Sequence, residues 1–216
     1  MSSGSLLLLA GPNGAGKSTL IQSVREELGI PDYTSLNADE RTLQKVILAG
    51  FTGFDDSRMG ADVLKRLFIE SANEVHRETL ELLRSGRNVC LETVLSTDKY
   101  CDLVSEVLEN GGAFEMFYVA LNSPELSEKR VRIRVRKFGH DVPVDRLRER
   151  WQRSLTFLPW FARRATNATV FDNSGEGPVI VAKGGGGVWR WQVEPSTVFP
   201  ELRLALESEF PELKQT

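Results

Sequence analysis

Residues 11–18 read Gly11-Pro12-Asn13-Gly14-Ala15-Gly16-Lys17-Ser18 and form a complete G-x-x-x-x-G-K-[ST] phosphate-binding motif, which we call the phosphate loop. An apolar run at residues 6–10 precedes it and residues 19–24 follow it, which predicts the strand, loop and helix that the motif requires. The glycines allow backbone N–H groups to wrap a polyphosphate, and the helix adds the positive end of its dipole. We therefore predict that this loop binds a nucleoside triphosphate.

Two side chains of the phosphate loop have predicted roles of their own. Lys17 is expected to reach the outer phosphates as a point charge, and the Ser18 hydroxyl is expected to ligate Mg²⁺. The Asn-Lys-x-Asp element with which GTPases read their base is absent from the sequence, so ATP is the favoured nucleotide. The predicted cofactors are ATP and Mg²⁺, and the predicted ATP-binding residues are Gly11, Asn13, Gly14, Ala15, Gly16, Lys17, Ser18 and Thr19.

The composition is that of an ordinary globular protein of 216 residues and predicts one domain over residues 1–216. The net charge of −3 argues against a protein built mainly to bind nucleic acid or an anionic membrane. Cys90 and Cys101 are too few for a disulfide scaffold, and no apolar run approaches the roughly 18 residues of a membrane span. We expect a cytoplasmic protein.

Predicted strands and helices alternate along most of the chain. This alternation favours the α/β class, as the P-loop NTPase three-layer sandwich with a parallel central sheet and helices on both faces. The strand at residues 169–174 is expected to be the last of the core, and residues 179–216 to form a C-terminal hairpin and helix. The other expected strands lie within residues 33–40, 88–93 and 113–121, and the helices at residues 18–28, 41–86 with a break at 51–60, 95–110 and from 124 onward.

Acidic residues end two of these strands. Asp39 follows the second strand, and Glu92 with Thr93 ends the third. Open α/β sheets bind substrates at the carboxyl ends of their strands, so we predict that these three residues bind an acceptor. A carboxylate there could orient the acceptor hydroxyl and take its proton. A separate Walker B strand ending in Asp is not evident.

Two predicted arginine-rich helices flank a turn at residues 138–143, and we call residues 126–156 the predicted lid. A lid of this kind brings guanidinium groups over transferring phosphates and excludes water. Nucleic-acid binding is a second explanation, and a solvated helix face is the commoner role for any single arginine. Arg130 and Arg134 share one helix face, as do Arg146 and Arg150.

Several further short motifs occur in a fixed order between residues 5 and 175. They are Ala10 to Thr19 around the phosphate loop, Asn37-Ala38-Asp39-Glu40, Glu92-Thr93-Val94-Leu95-Ser96, Tyr118-Val119-Ala120-Leu121-Asn122-Ser123-Pro124-Glu125, Arg130-Val131 with Arg134-Val135, Gly139-His140-Asp141-Val142-Pro143, residues 148–154 and Asp172-Asn173-Ser174. In this ordered set the chain resembles the zeta-toxin-like P-loop kinases, in their compact bacterial branch.

The resemblance implies roles for residues that match the family's motifs. Asp39 matches the acid that activates the acceptor hydroxyl, and arginines between Arg130 and Arg150 match those that hold the phosphates. The predicted catalytic residues are Lys17, Asp39, Arg134 and Arg150.

The resemblance also implies an acceptor and a partner. Characterised zeta toxins phosphorylate UDP-N-acetylglucosamine, so this or another nucleotide sugar is the implied acceptor, and an antitoxin-like protein is a further implied partner. Val94 stands where this branch usually has Thr, and Phe138 stands where it usually has Gly. The first departure bears on an acceptor contact and the second on the turn of the predicted lid.

The sequence therefore predicts an ATP-dependent kinase that transfers the γ-phosphate to the hydroxyl group of a small molecule. A second hypothesis is an ATP-binding regulatory module with weak ATPase activity that acts through a protein partner, suggested by the tail after Gly184. A third is a polynucleotide kinase or RNA-binding protein that uses the basic lid, which the overall acidity makes the less favoured reading.

Overall fold

A seven-stranded sheet forms the centre of the protein in the computed structural model, which describes residues 4–24, 32–138 and 144–215. The described strands are β1 (Leu6–Ala10), β2 (Thr34–Leu36), β3 (Val89–Thr93), β4 (Phe114–Ala120), β5 (Asn167–Asp172), β6 (Val179–Gly185) and β7 (Val188–Trp191). Their order across the sheet is β2-β3-β1-β4-β5-β6-β7. The first five strands pair in parallel, whereas β6 and β7 add an antiparallel hairpin at one edge.

The position of β1 follows from its sequence. Its four leucines and Ala10 are at most 2% exposed, and β1 pairs with β3 on one side and β4 on the other. A continuous apolar run, rather than an alternating one, is what a parallel strand covered on both faces requires. Burying each leucine contributes about 1.5–3 kcal/mol. The phosphate loop therefore starts from the middle of the sheet's carboxyl edge.

Helices cover both faces of the sheet. Helix α6 (Val144–Arg164) packs on β4 through Phe161 and Phe114, whose rings meet edge to face. Because parallel crossovers are right-handed, α1 (Lys17–Val24), which leads back toward β2, lies on the opposite face. This arrangement confirms the expected α/β sandwich. The helices are α1 (Lys17–Val24), α2 (Ala38–Leu48), α3 (Ala61–Arg84), α4 (Cys101–Glu109), α5 (Pro124–Phe138), α6 (Val144–Arg164) and α7 (Pro200–Glu209), with 3₁₀ turns at Pro195–Thr197 and Pro211–Gln215.

The loop that follows β3 differs from the sequence expectation. A helix was expected from residue 95, but α4 begins only at Cys101. Leu95 has a φ of +58° and donates its N–H to Thr93 Oγ1 at 3.0 Å, so it turns the chain in the left-handed region. A non-glycine residue in that region cannot continue an α-helix. Burial of the Leu95 side chain in the core holds this conformation.

The C-terminal hairpin is part of the sheet. We expected β5 to be the last core strand, but β6 pairs with β5 and β7 with β6. Ala182 and Trp189 are almost completely buried, and the Trp191 indole N–H donates to Leu213 O at 3.0 Å. Within the described ranges, no helix is long and apolar enough to cross a membrane.

The predicted lid is represented by α5 and α6. Its turn at residues 139–143 lies outside the described residues, as does the expected end of the first helix beyond residue 24. Two buried polar contacts tie α6 to β4 and the residue after it. The Tyr118 hydroxyl lies 3.0 Å from Ser154 Oγ, and the Trp151 indole N–H donates to Leu121 O at 2.8 Å. Burial raises the pKa of Tyr118, so its phenol remains neutral.

Replacing Trp151 with Phe is expected to lower the free energy of unfolding by about 1–3 kcal/mol, because the Leu121 carbonyl loses its buried donor. Urea unfolding followed by far-UV circular dichroism measures the change. Trp160→Phe is the matched control, since Trp160 is only partly buried and its indole N–H makes no hydrogen bond among the described residues. Equal losses in the two variants would contradict this account of α6.

Candidate active site

The backbone of the phosphate loop requires glycine because other elements approach it closely. Gly11 has a φ of +138°, and a Cβ there would lie 2.2 Å from the carbonyl oxygen of Val119. Gly14 has a φ of +73°, and its Cβ would lie 2.9 Å from the carbonyl oxygen of Ser127 in α5. A side chain at either position would clash and would also strain the backbone. The loop is therefore held between β4 and α5.

Lys17 lies inside the phosphate loop and is only 7% exposed. Its Nζ donates to Gly11 O at 2.9 Å and to Pro12 O at 3.2 Å. Burial lowers the pKa of this ammonium group, while the negative charges of Glu92 and Asp39 oppose the shift and the positive charge of Arg134 adds to it. These interactions place two acids and one arginine in the electrostatic surroundings of Lys17.

Glu92 is the acid that contacts the loop directly. Ser18 Oγ donates to Glu92 Oε2 at 2.9 Å, and Glu92 Oε1 lies 3.8 Å from Lys17 Nζ. The contact arises because β3 is the parallel neighbour of β1, with Leu9 opposite Glu92. Glu92 stays a predicted acceptor-binding residue, and its carboxylate also contacts Ser18, the predicted metal ligand.

Asp39 lies in the first turn of α2, at the carboxyl end of β2. Asn37 caps this helix, because its side-chain oxygen accepts from Asp39 N at 2.9 Å and from Glu40 N at 3.4 Å. The cap fixes the direction in which the first turn leaves the sheet. The negative charge of Asp39, which follows the cap directly, raises the pKa of Lys17 against the effect of burial.

The two arginines predicted to be catalytic differ in their surroundings. Arg134 is exposed on α5, and its charge acts on Lys17. Arg150 is half-buried on α6 and makes no hydrogen bond or ion pair with any described residue. The positive charge of Arg134 thus acts on Lys17, whereas Arg150 makes no contact with Lys17, Asp39 or Glu92 among the described residues.

Three polar side chains around the loop have structural roles. Ser127 Oγ donates to Asn13 O at 2.6 Å, and Asn173 Nδ2 donates to Ala15 O at 2.8 Å. Ser127 could not be predicted from the sequence, since a lone serine in a basic helix carries no signal of its own. Thr93, predicted to bind an acceptor, uses its hydroxyl oxygen to accept from Leu95 N.

A cavity of about 280 Å³ opens beside Ser18 and Glu92, between α1 and the ends of β2 and β3. Its wall combines apolar side chains with hydrogen-bonding groups. Tyr33, at this wall, donates its hydroxyl to Glu115 Oε1 at 3.2 Å, and burial with the nearby Glu115 charge raises the pKa of the Tyr33 phenol. The polar lining includes Ser35, Asn37 and Glu40.

The chain is similar to several known proteins. It shares 16% identity and a TM-score of 0.56 with a structure of the PezAT chromosomal toxin–antitoxin system of Streptococcus pneumoniae, over 97% of this chain and 78% of that one. The AvrRxo1-ORF1:-ORF2 complex solved with ATP gives 14% identity and a TM-score of 0.59, over 100% and 66% of the two chains. At these identities the likeness shows the fold.

The replication factor C large subunit of Thermococcus kodakarensis is 30% identical over 155 residues, which are 66% of this chain and 28% of that protein. The chain spans less than a third of the length of the curated relatives it matches. The family model described as Zeta toxin matches residues 3–180, a range that includes the phosphate loop, Asp39, Glu92 and α5. The protein therefore belongs to the zeta toxin family.

Proposed function

We propose that this protein is a kinase that transfers the γ-phosphate of ATP to a hydroxyl group of a small acceptor. One observation carries the proposal: the hydrogen bond between Ser18 and Glu92, directly beside Lys17. This contact brings the Lys17 ammonium group, for the phosphates, close to the oxygens of Ser18 and Glu92, for a metal ion. Together these groups make up the donor half of a phosphoryl-transfer site. Asp39 and Arg134, whose charges act on Lys17, supply an acid and a cation for the acceptor half.

The residues at this point fit a magnesium ion. Mg²⁺ is bound through one or two protein oxygens together with phosphate oxygens and waters. Ser18 Oγ and Glu92 Oε2, 2.9 Å apart, provide two such oxygens without a dedicated cage. In this proposal Glu92 has the part of a Walker B acid, and Ser18 retains its predicted part as a ligand. Bound there, Mg²⁺ would neutralise charge on the β- and γ-phosphates.

The side chains of the site then have separate roles in phosphoryl transfer. Lys17 leaves its carbonyl partners in the loop for the phosphate oxygens, where the negative charge favours its protonated form. Asp39 orients the acceptor hydroxyl and takes its proton as the oxygen attacks the γ-phosphorus. The bond from that phosphorus to the β-phosphate oxygen breaks, and ADP leaves. Arg134 stabilises charge on the transferring group, an effect that is typically worth ~10³–10⁵ in rate.

The acceptor is proposed from the family together with the site. UDP-N-acetylglucosamine or another nucleotide sugar is the first candidate, and the cavity beside Ser18 and Glu92 offers a place for part of this molecule. The tail that suggested a regulatory module is packed into the sheet through Trp189 and Trp191, so it no longer favours that alternative. An antitoxin-like partner stays a prediction, motivated by family membership.

We expect purified protein with Mg²⁺ and γ-labelled ATP to label an acceptor in a panel of nucleotide sugars, free sugars and nucleosides. Mass spectrometry of the product identifies the hydroxyl group that is phosphorylated. Labelled oligonucleotides, tested at low salt, serve as the control for the basic lid. Slow release of phosphate with every acceptor in the panel would contradict the kinase proposal.

Replacing Asp39 with Asn is expected to lower kcat for transfer by at least about 100-fold, because the acceptor hydroxyl loses its base. The affinity for ATP should change little, since the phosphates bind to the loop. Kinetics and fluorescent-ATP titration measure the two effects. Glu40→Gln changes the neighbouring acid, which lines the cavity, and should act on the KM for the acceptor rather than on kcat. Full transfer by the Asp39 variant would exclude it as the base.

Replacing Glu92 with Gln is expected to raise the Mg²⁺ concentration for half-maximal ATP binding by about 10-fold or more, because the site loses its one charged ligand. Titration of fluorescent-ATP binding with Mg²⁺ measures this concentration. The Asp39→Asn protein is the control and should keep the wild-type midpoint. An unchanged midpoint in the Glu92 variant would assign this carboxylate to the acceptor instead.

A further inference from the structure

The first turns of α5 are attached to the phosphate loop. Ser127, one turn from the start of the helix, is completely buried and donates its hydroxyl to Asn13 O at 2.6 Å. This is the one place where a described side chain of α5 donates a hydrogen bond to the loop backbone. Asn13 lies between Gly11 and Gly14 of the loop, so the bond fixes both the loop and the helix.

Packing around this bond leaves no free space. A Cβ on Gly14 would lie 2.9 Å from Ser127 O, 3.1 Å from Arg130 Cβ and 3.5 Å from Val131 Cγ2. Val131 is only 1% exposed. The helix therefore rests directly on the loop backbone, and a rotation or shift of α5 would break the contact.

The same face of α5 carries Arg134. It follows Ser127 by two helical turns and Arg130 by one, so all three residues lie on the side of the helix that meets the loop. Two turns correspond to about 10 Å along the axis, a distance that lets an arginine side chain reach phosphates held by the loop. A charge that stabilises a transferring group acts only from a well-defined position.

We propose that Ser127 is a positioning residue: by bonding Asn13 O it fixes the register of α5 on the phosphate loop and so holds Arg134 over the transferring phosphate. The arginine is in place before any closure of the predicted lid, because its helix and the loop form one packed unit. The inference rests on the proposed kinase function. It adds Ser127 as the residue that determines whether Arg134 reaches the transferring phosphate.

A double-mutant cycle of Ser127→Ala and Arg134→Ala tests this dependence. Ser127→Ala alone should lower kcat about 10-fold and leave the affinity for ATP within about twofold of wild type. In the Arg134→Ala background the same change should alter kcat by less than about twofold, since no arginine remains to be positioned.

Asn173→Ala is the matched control, because it removes a side-chain hydrogen bond to the loop backbone, at Ala15 O, that comes from outside α5. Its effect on kcat should be the same with and without Arg134. Thermal unfolding of each variant separates loss of fold from loss of position. The proposal is overturned if Ser127→Ala lowers kcat equally in both backgrounds, or if its effect lies in ATP affinity.

The same cycle run on ATP hydrolysis without acceptor separates this inference from the kinase proposal. Hydrolysis of ATP with no transfer to any acceptor would reject the kinase function. The positioning role would still be supported if Ser127→Ala slowed hydrolysis only when Arg134 is present. Additive effects of the two substitutions on the hydrolysis rate would overturn the positioning role.

Discussion

The site depends on how its glycine-rich backbone is held. The phosphate loop has no side chains at Gly11, Gly14 and Gly16, so side chains of the loop cannot support its backbone at these positions. Its shape comes from close contact with Val119 O of β4 and from hydrogen bonds donated by Ser127 and Asn173. These partners come from different parts of the chain, which means that the completed fold maintains a concave set of backbone N–H groups.

The charges of the site are balanced around a buried lysine. Removing an ammonium group from water disfavours its charged form, and this lowers the pKa of Lys17. Glu92 and Asp39 offset part of that cost, and the carbonyl oxygens of Gly11 and Pro12 accept hydrogen bonds from the ammonium group. A site arranged in this way is ready to exchange carbonyl oxygens for phosphate oxygens, which carry more negative charge.

The two halves of the predicted lid differ in how they meet the rest of the protein. Helix α5 is packed on the phosphate loop through Ser127 and Val131, whereas α6 is tied to the sheet region through Trp151 and Ser154. Both helices are thus fixed by polar contacts, each of which is costly to break. The proposed role of Arg134 requires a helix that is fixed in this way, because its side chain is otherwise exposed.

The sequence by itself determined the phosphate loop, the parallel α/β core and the family, because these depend on local spacing and on continuous apolar runs such as Leu6–Ala10. It also selected Asp39 and Glu92, since each acid follows a strand. Local patterns could not show the left-handed turn at Leu95, which long-range burial imposes, or the pairing of β6 and β7 with the parallel strands. Only the tertiary structure brought Glu92 to Ser18 and Ser127 to Asn13, and brought the charge of Arg134 to act on Lys17. The two residues of each pair come from separate elements, and strand order and helix packing set the distance between those elements.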